Sequence, residues 1–316
     1  MRKKINPFLK SNNDTGFGNN ASAQAGRFIN KDGSFNVVKE GISAFDGVSI
    51  YHKLLTMPAW EFILIILTCF LAINTVFTCI YLLMPDSEIT GVISNNFFEH
   101  FAELFFFSAQ TFTTVGYGRI NPVGVLGGFT ASLEALMGLL NFSIVTGLLY
   151  GRFSRPKSYL RFSKQALISP YQDMKALMFR FVSYKHDHNL SNVEVVVTLG
   201  LTIQENGNDV FKFYSLPLER NRVDNLVMNW TVVHPINEQS PVYGYTAEDM
   251  KNADAEIYVM VRGFDEIFSN TVLQRTSYTY SEIIYNARFE KMYEESEDQS
   301  TTILHLSKLN SYKNLS

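Results

Sequence analysis

The sequence predicts a membrane protein with two transmembrane α-helices, a re-entrant helix and loop between them, and a following all-β sandwich of immunoglobulin-like type. Three observations carry this reading: two long blocks almost free of charge, a shorter apolar run between them, and a texture of short β-branched segments after Pro156. Hydrophobic residues make up 46% of the 316-residue chain and charged residues 18%, values that two ordinary domains would also show. It is the concentration of the apolar residues into blocks that decides the class.

Residues 1–44 are rich in Asn, Gly and Ser, as in Ser11 to Ser22, and are expected to form a tail without regular structure. Over 45–57 the apolar residues Phe45, Val48, Ile50, Tyr51, Leu54, Leu55 and Met57 leave Ser49, His52 and Lys53 on the other side. That pattern predicts a short interfacial helix lying on the membrane surface, stopped by Pro58. Residues 58–155 then form the membrane domain. Its first span, about 60–84, holds one ionisable side chain, Glu61, and at the α-helical rise it exceeds a ~30 Å hydrocarbon core. It begins too far along the chain to be a cleaved signal peptide. A polar stretch follows, and then an apolar run over about 98–112 that is too short to cross, which suits a helix that enters the membrane and turns back. The second span, about 123–150, is uncharged apart from Glu134. Beyond Pro156, the segments 193–203, 210–216, 226–233 and 256–261 are punctuated by Gly207, Pro217, Pro235, Pro241, Gly244 and Gly263. Short strands at this spacing predict a sandwich over 156–295, leaving 296–316 as a C-terminal tail.

Lys and Arg flank the two spans on their outer sides, from Arg2 to Lys53 and from Arg152 to Lys164, whereas the segment between the spans has only Arg119. The asymmetry places both termini in the cytoplasm. The net charge of -3 adds nothing to this. Cys69 and Cys79 are too far apart along one helix to bond each other. His186, Asp187 and His188 read as a polar turn rather than a metal site. No nucleophile–base pair, phosphate loop or nucleic-acid-binding stripe is evident, so the residues support neither an enzyme nor a nucleic-acid partner and imply no cofactor.

Between the re-entrant helix and the second span stands Thr113-Thr114-Val115-Gly116-Tyr117-Gly118. A potassium ion must shed water to pass a narrow pore, and a ring of backbone carbonyls replaces that shell without adding fixed charge. Gly116 and Gly118 supply the backbone freedom such a loop demands. A filter over 114–118 is therefore expected, with K+ coordinated by the carbonyls of Thr114, Val115, Gly116 and Tyr117 and by the Thr114 hydroxyl. One chain supplies a quarter of the ring, so the reading requires a homotetramer. The second span should line the inner pore, with Gly138 and Gly147 as bending or close-packing points.

The segment FFFSAQTFTTVGYG, Phe105 to Gly118, resembles the pore of the inward-rectifier potassium channels, above all the prokaryotic KirBac type. Ser132 to Pro156 is similar to that family's inner helix, and Val233 to Gly244, Ala255 to Glu266 and Tyr280 to Phe289 are similar to its cytoplasmic β-domain. The resemblance covers roughly residues 45–290. It implies a tetrameric potassium channel in a cell membrane, for the prokaryotic type a bacterial inner membrane. It also implies a gate at Tyr150, where the family has a bulky side chain at the bundle crossing. Arg152, Arg155 and Lys157 match positions that bind anionic phospholipid headgroups. Phe142, with Asn141 beside it, takes the place of the acidic residue of strongly rectifying members, so block by polyamines is expected to be weak. Gln110 stands where the family usually has a glutamate behind the filter, and Ile120 where animal members have its arginine partner. Glu134 is then expected to support the filter by hydrogen bonding near Gln110. The competing class is a non-conducting, membrane-anchored binding module with a vestigial pore.

Overall fold

A computed structural model describes residues 27–38, 40–41, 49–94, 96–185, 188–205 and 207–315. They form two compact units, one of residues 40–155 and one that combines residues 1–39 with 156–316.

In the first unit, α1 (Ile50–Thr56) falls within the helix expected over 45–57, of which residues 45–48 lie outside the described ones. Its N-cap is Ser49, whose hydroxyl accepts from the His52 amide. Helix α2 (Ala59–Leu82) buries Phe62 and the stripe Asn74, Phe77, Thr78 and Tyr81. Trp60, Ile63, Leu64, Leu67 and Leu71 stay exposed. A helix apolar on every side with one protein-facing stripe has the surface of a lipid-contacting span. Asn96 caps α3 (Phe97–Phe112), which buries Leu104, Phe107, Ser108 and Phe112. Strands β1 (Ile89–Thr90) and β2 (Asn121–Pro122), on either side of α3 and the 113–118 loop in sequence, pair antiparallel. Helix α4 (Val125–Phe153) starts against Glu88, whose carboxylate accepts from the Gly127 amide at 2.8 Å. The buried face of α4 is Gly127, Thr130, Glu134 and Gly138, a stripe at three- and four-residue spacing.

The second unit is a sandwich. One sheet runs β11 (Asn270–Thr279), β10 (Glu256–Asp265), β6 (Leu190–Glu205), β7 (Asn208–Ser215), with β8 (Arg222–Leu226) on the first half of β6. The other runs β12 (Ile283–Tyr285), β4 (Ala166–Tyr171), β5 (Met174–Ser183), β3 (Leu160–Phe162), with β9 (Trp230–Ile236) on the opposite edge of β5. Among the described residues, only β12 with β4 is a parallel pair. Alternation builds the core: Leu177, Phe179 and Phe181 of β5, Val195, Val197, Leu199 and Leu201 of β6, and Ile257, Val259 and Val261 of β10 share one buried cluster. A single turn of helix, α5 (Ala247–Asn252), carries a capping box between Thr246 and Asp249.

Both expected tails need correction. Residues 28–36 fold back on the sandwich: Ile29 is buried, its amide and that of Phe28 bond the Glu256 carboxylate, and its carbonyl accepts from Ser277 Oγ at 2.5 Å. At the other end, β13 (Ala287–Phe289) pairs with β16 (Tyr312–Asn314), and β14 (Tyr293–Glu295) pairs with β15 (Thr302–Leu304). Leu309 and Met292 bury themselves with Val182, so the domain runs on to about residue 314. Two- and three-residue pairings carry no readable periodicity, and a single buried Ile in a polar stretch gives no pattern at all.

His234 of β9 is buried between Pro217 and Ser240. The Pro217 carbonyl only accepts, so Nδ1 bears the hydrogen (2.6 Å) and Nε2 accepts from the Ser240 hydroxyl (2.8 Å). Burial pushes the imidazole below its ordinary value, opposed in part by the bond to Pro217. The unfolded chain therefore takes the proton first as pH falls. Stability is complete above about 6.5 and declines below it, by at most about 1.4 kcal/mol at pH 5.5. Thermal unfolding of the detergent-solubilised protein at pH 7.5 and 5.5 checks this, and His234→Gln should show a smaller difference between the two.

Candidate ion-conduction site

The C-terminus of α3 positions the loop that follows it. The Gln110 carbonyl accepts from the amides of Val115 (2.8 Å) and Gly116 (3.3 Å), and the Thr111 carbonyl from that of Thr114 (3.0 Å). A helix end leaves carbonyls without partners, and here they hold the loop. Thr114, Gly116 and Gly118 have positive φ values of 61°, 52° and 85°, while Val115 and Tyr117 between them do not. Left-handed and right-handed φ thus alternate along the loop. Glycine takes such angles freely; Thr114 pays on the order of 1 kcal/mol for them. Among the described residues, no hydrogen bond is donated to the carbonyls of Thr114, Val115, Gly116 or Tyr117, whereas Gly118 accepts from Asn121 Nδ2 at 2.6 Å. All four residues are exposed in the single chain, so their carbonyls are open to water or to an ion.

Beyond the loop, Arg119 pairs with Glu103 of α3, and the same carboxylate accepts from the amides of Ile93 (3.0 Å) and Ser94 (3.4 Å). This fastens both ends of the loop to one helix. In the sequence Arg119 stands out only as the lone basic residue between the spans, with no partner indicated.

Glu134 does not meet Gln110. Its carboxyl lies fully buried between the hydroxyls of Tyr81 (2.7 Å) and Ser108, and Ser108 in turn faces Asn74 Oδ1 at 3.0 Å. The contact thus joins α2, α3 and α4, and Gln110 contributes through its backbone carbonyl. Tyr81 and Ser108 escaped sequence reading, although Asn74, Thr78 and Tyr81 at helical spacing in an apolar span were a visible signal. One turn after Glu134, Gly138 faces α3 and not an open pore: a Cβ there would lie 1.8 Å from the Phe112 carbonyl oxygen. Gly147 has nothing within 4 Å. Asn141 is half-buried near the packed stripe of α4, while Phe142 and Tyr150 are exposed in the single chain.

Arg152 is half-buried, not free. Its guanidinium donates to the carbonyls of Leu54 (2.6 Å) and Met57 (2.8 Å) at the end of α1 and lies over the Phe62 ring. Arg155 and Lys157 are exposed. His188 bonds Asp265 at 2.8 Å, His186 and Asp187 lie outside the described residues, and among the described residues no His, Cys, Asp or Glu cluster suits a metal.

Two apolar spans, a shorter helix and a loop whose 114–117 carbonyls accept no bond among the described residues, followed by a β-sandwich, define the subunit architecture of a two-span channel. Comparison with known proteins agrees: residues 61–155 match a family described as "Ion channel", and residues 160–314 match the inward rectifier potassium channel C-terminal domain. The chain is 34% identical over 268 residues to the inward rectifier potassium channel Kirbac3.1 of Paramagnetospirillum magnetotacticum, spanning 84% of this chain and 89% of that protein. It is 27% identical to the chicken (Gallus gallus) ATP-sensitive inward rectifier potassium channel 12, over 86% of this chain and 68% of the relative. With the human inward rectifier potassium channel 4 it shares 30% identity over 60% of this chain and 45% of the relative. The chain belongs to the inward rectifier potassium channel family and is of its KirBac type.

Proposed function

We propose that four copies of this chain assemble around an axis in a cell membrane and conduct K+ passively. The ion is coordinated by the carbonyls of Thr114, Val115, Gly116 and Tyr117, with Gly118 closing the loop. The observation that supports this most directly is the run of unpaired carbonyls from 114 to 117 on a loop whose amides are tied back to Gln110. Stripping water from K+ is offset by oxygens already ordered at no further cost, and a smaller ion contacts them poorly. Both termini are cytoplasmic, consistent with the distribution of Lys and Arg. In this reading Phe142 faces the inner pore, and Tyr150 closes it by sterics and dewetting while the sandwich biases that closure. Arg155 and Lys157 attract anionic phospholipid headgroups at about 1 kcal/mol each, whereas the engaged guanidinium of Arg152 has a smaller share.

Purified protein in liposomes tests the reading. Barium-sensitive rubidium uptake without sodium uptake is expected; uptake of neither ion would favour the membrane-anchored binding module. In the same assay Tyr150→Ala should raise uptake, and an unchanged rate would remove Tyr150 as the gate.

A further inference from the structure

The Glu134 cluster contains three short oxygen–oxygen contacts in a row: Asn74 Oδ1 with Ser108 Oγ (3.0 Å), Ser108 Oγ with Glu134 Oε1, and Glu134 Oε2 with Tyr81 Oη (2.7 Å); a longer contact of Ser108 Oγ with the Asn74 carbonyl (3.3 Å) shares the hydrogen of the first and adds none to the count, that carbonyl being already bonded by Thr78. Each of the three needs one hydrogen. The two hydroxyls supply two. Reversing the Asn74 amide does not help, because its Nδ2 already donates to the Phe70 carbonyl at 2.7 Å, and that carbonyl can only accept. The Thr78 hydroxyl is likewise committed, to the Asn74 carbonyl at 2.7 Å. The missing hydrogen has one remaining carrier.

We infer that Glu134 is held as the neutral carboxylic acid, its own O–H donating to Ser108. A one-way chain then runs from Tyr81 through Glu134 and Ser108 to Asn74 and ends on Phe70. Every buried polar atom in it is satisfied. No charged side chain among the described residues bonds Glu134: α2 offers Tyr81 and α3 offers Ser108. An ionised carboxylate here would face no cation and would leave one oxygen pair without a hydrogen between them.

The acid acts as a positioning residue. It fixes the height of α3 two residues before Gln110, whose carbonyl holds Val115 and Gly116. That consequence for permeation rests on the filter reading proposed above; the count of hydrogens does not.

Infrared difference spectroscopy of wild type against Glu134→Gln at neutral pH tests the proposal. Gln places an N–H where the acid has its O–H and keeps an oxygen for Tyr81. The expected result is a carbonyl-stretching band of a protonated carboxylic acid in wild type and absent from the variant. Barium-sensitive rubidium uptake by the variant should stay within about twofold of wild type, while Glu134→Ala, which strands both hydroxyls, should lose about tenfold or more. Tyr81→Phe provides a second spectrum: it removes one donor and leaves the acid, so the band should shift but persist. Loss of a carboxylate band in Glu134→Gln, with no acid band in wild type, would overturn the inference. If wild type passes no rubidium yet shows the acid band, the channel reading fails and the protonated glutamate stands.

Discussion

Replacing Gly138 by alanine is expected to cut barium-sensitive rubidium uptake about tenfold or more while the protein still assembles. The new Cβ would sit 1.8 Å from the Phe112 oxygen, 2.7 Å from its carbonyl carbon and 3.1 Å from its Cα. All three are backbone atoms, so no rotamer change relieves the contact. Helix α4 must retreat by roughly 1.2 Å or α3 must move, at an overpacking cost of about 1–3 kcal/mol. Phe112 ends the helix that holds the 114–117 loop, so the displacement is delivered to the carbonyls. Gly147→Ala is the control: a Cβ added there meets no atom within 4 Å outside its own turn of helix, and a much smaller change is expected. Equal losses from both, or wild-type flux from Gly138→Ala, would contradict this account. Size-exclusion elution of each variant separates lost conduction from lost assembly.

Arg180→Ala should destabilise the sandwich by about 3 kcal/mol or more, since hydrogen bonds to a charged donor contribute about 1.5–3 kcal/mol each and four carbonyls lose theirs. The side chain is almost completely buried, and its guanidinium donates to the carbonyls of Leu309 (2.7 Å), Glu290 (2.6 Å), Lys308 and Ser311 (3.0 Å) with Phe289 beneath it. Truncation leaves four acceptors facing a void. Lysine has three donors on one atom and cannot span the fork, so Arg180→Lys should recover only part of the loss. A lowered unfolding temperature, with new protease cleavage between residues 290 and 314, is the expected result. Unchanged resistance in that stretch would show that the clamp is dispensable.

The two glycines differ in a way that helical spacing alone does not reveal. Both interrupt the same apolar block, and only the approach of α3 distinguishes the buried one. The same holds for Arg180. Its strand, Met174 to Ser183, reads as a near-continuous apolar run, which signals burial on both faces. What covers the outer face is the polar stretch from 290 to 314, built from pairings too short to leave a pattern. Glu134 was legible as an expensive charge in a span that bonds near Gln110, yet its partners Ser108 and Tyr81 were not, because neighbours across three helices are set by rotation and height, not by order along the chain.

By itself the sequence determined the two spans, the re-entrant helix, the strands β6, β7 and β10 and the TVGYG motif, because each is written in periodicity, length or backbone freedom within one segment, whereas the segment expected over 226–233 proves to straddle the end of β8 and the start of β9. Only the tertiary structure decided that Gly138 is a seat for Phe112, that Arg152 caps α1 and that Ser108 and Tyr81 enclose Glu134. These depend on distances between segments far apart in the chain, where a difference of one ångström separates a hydrogen bond from a collision.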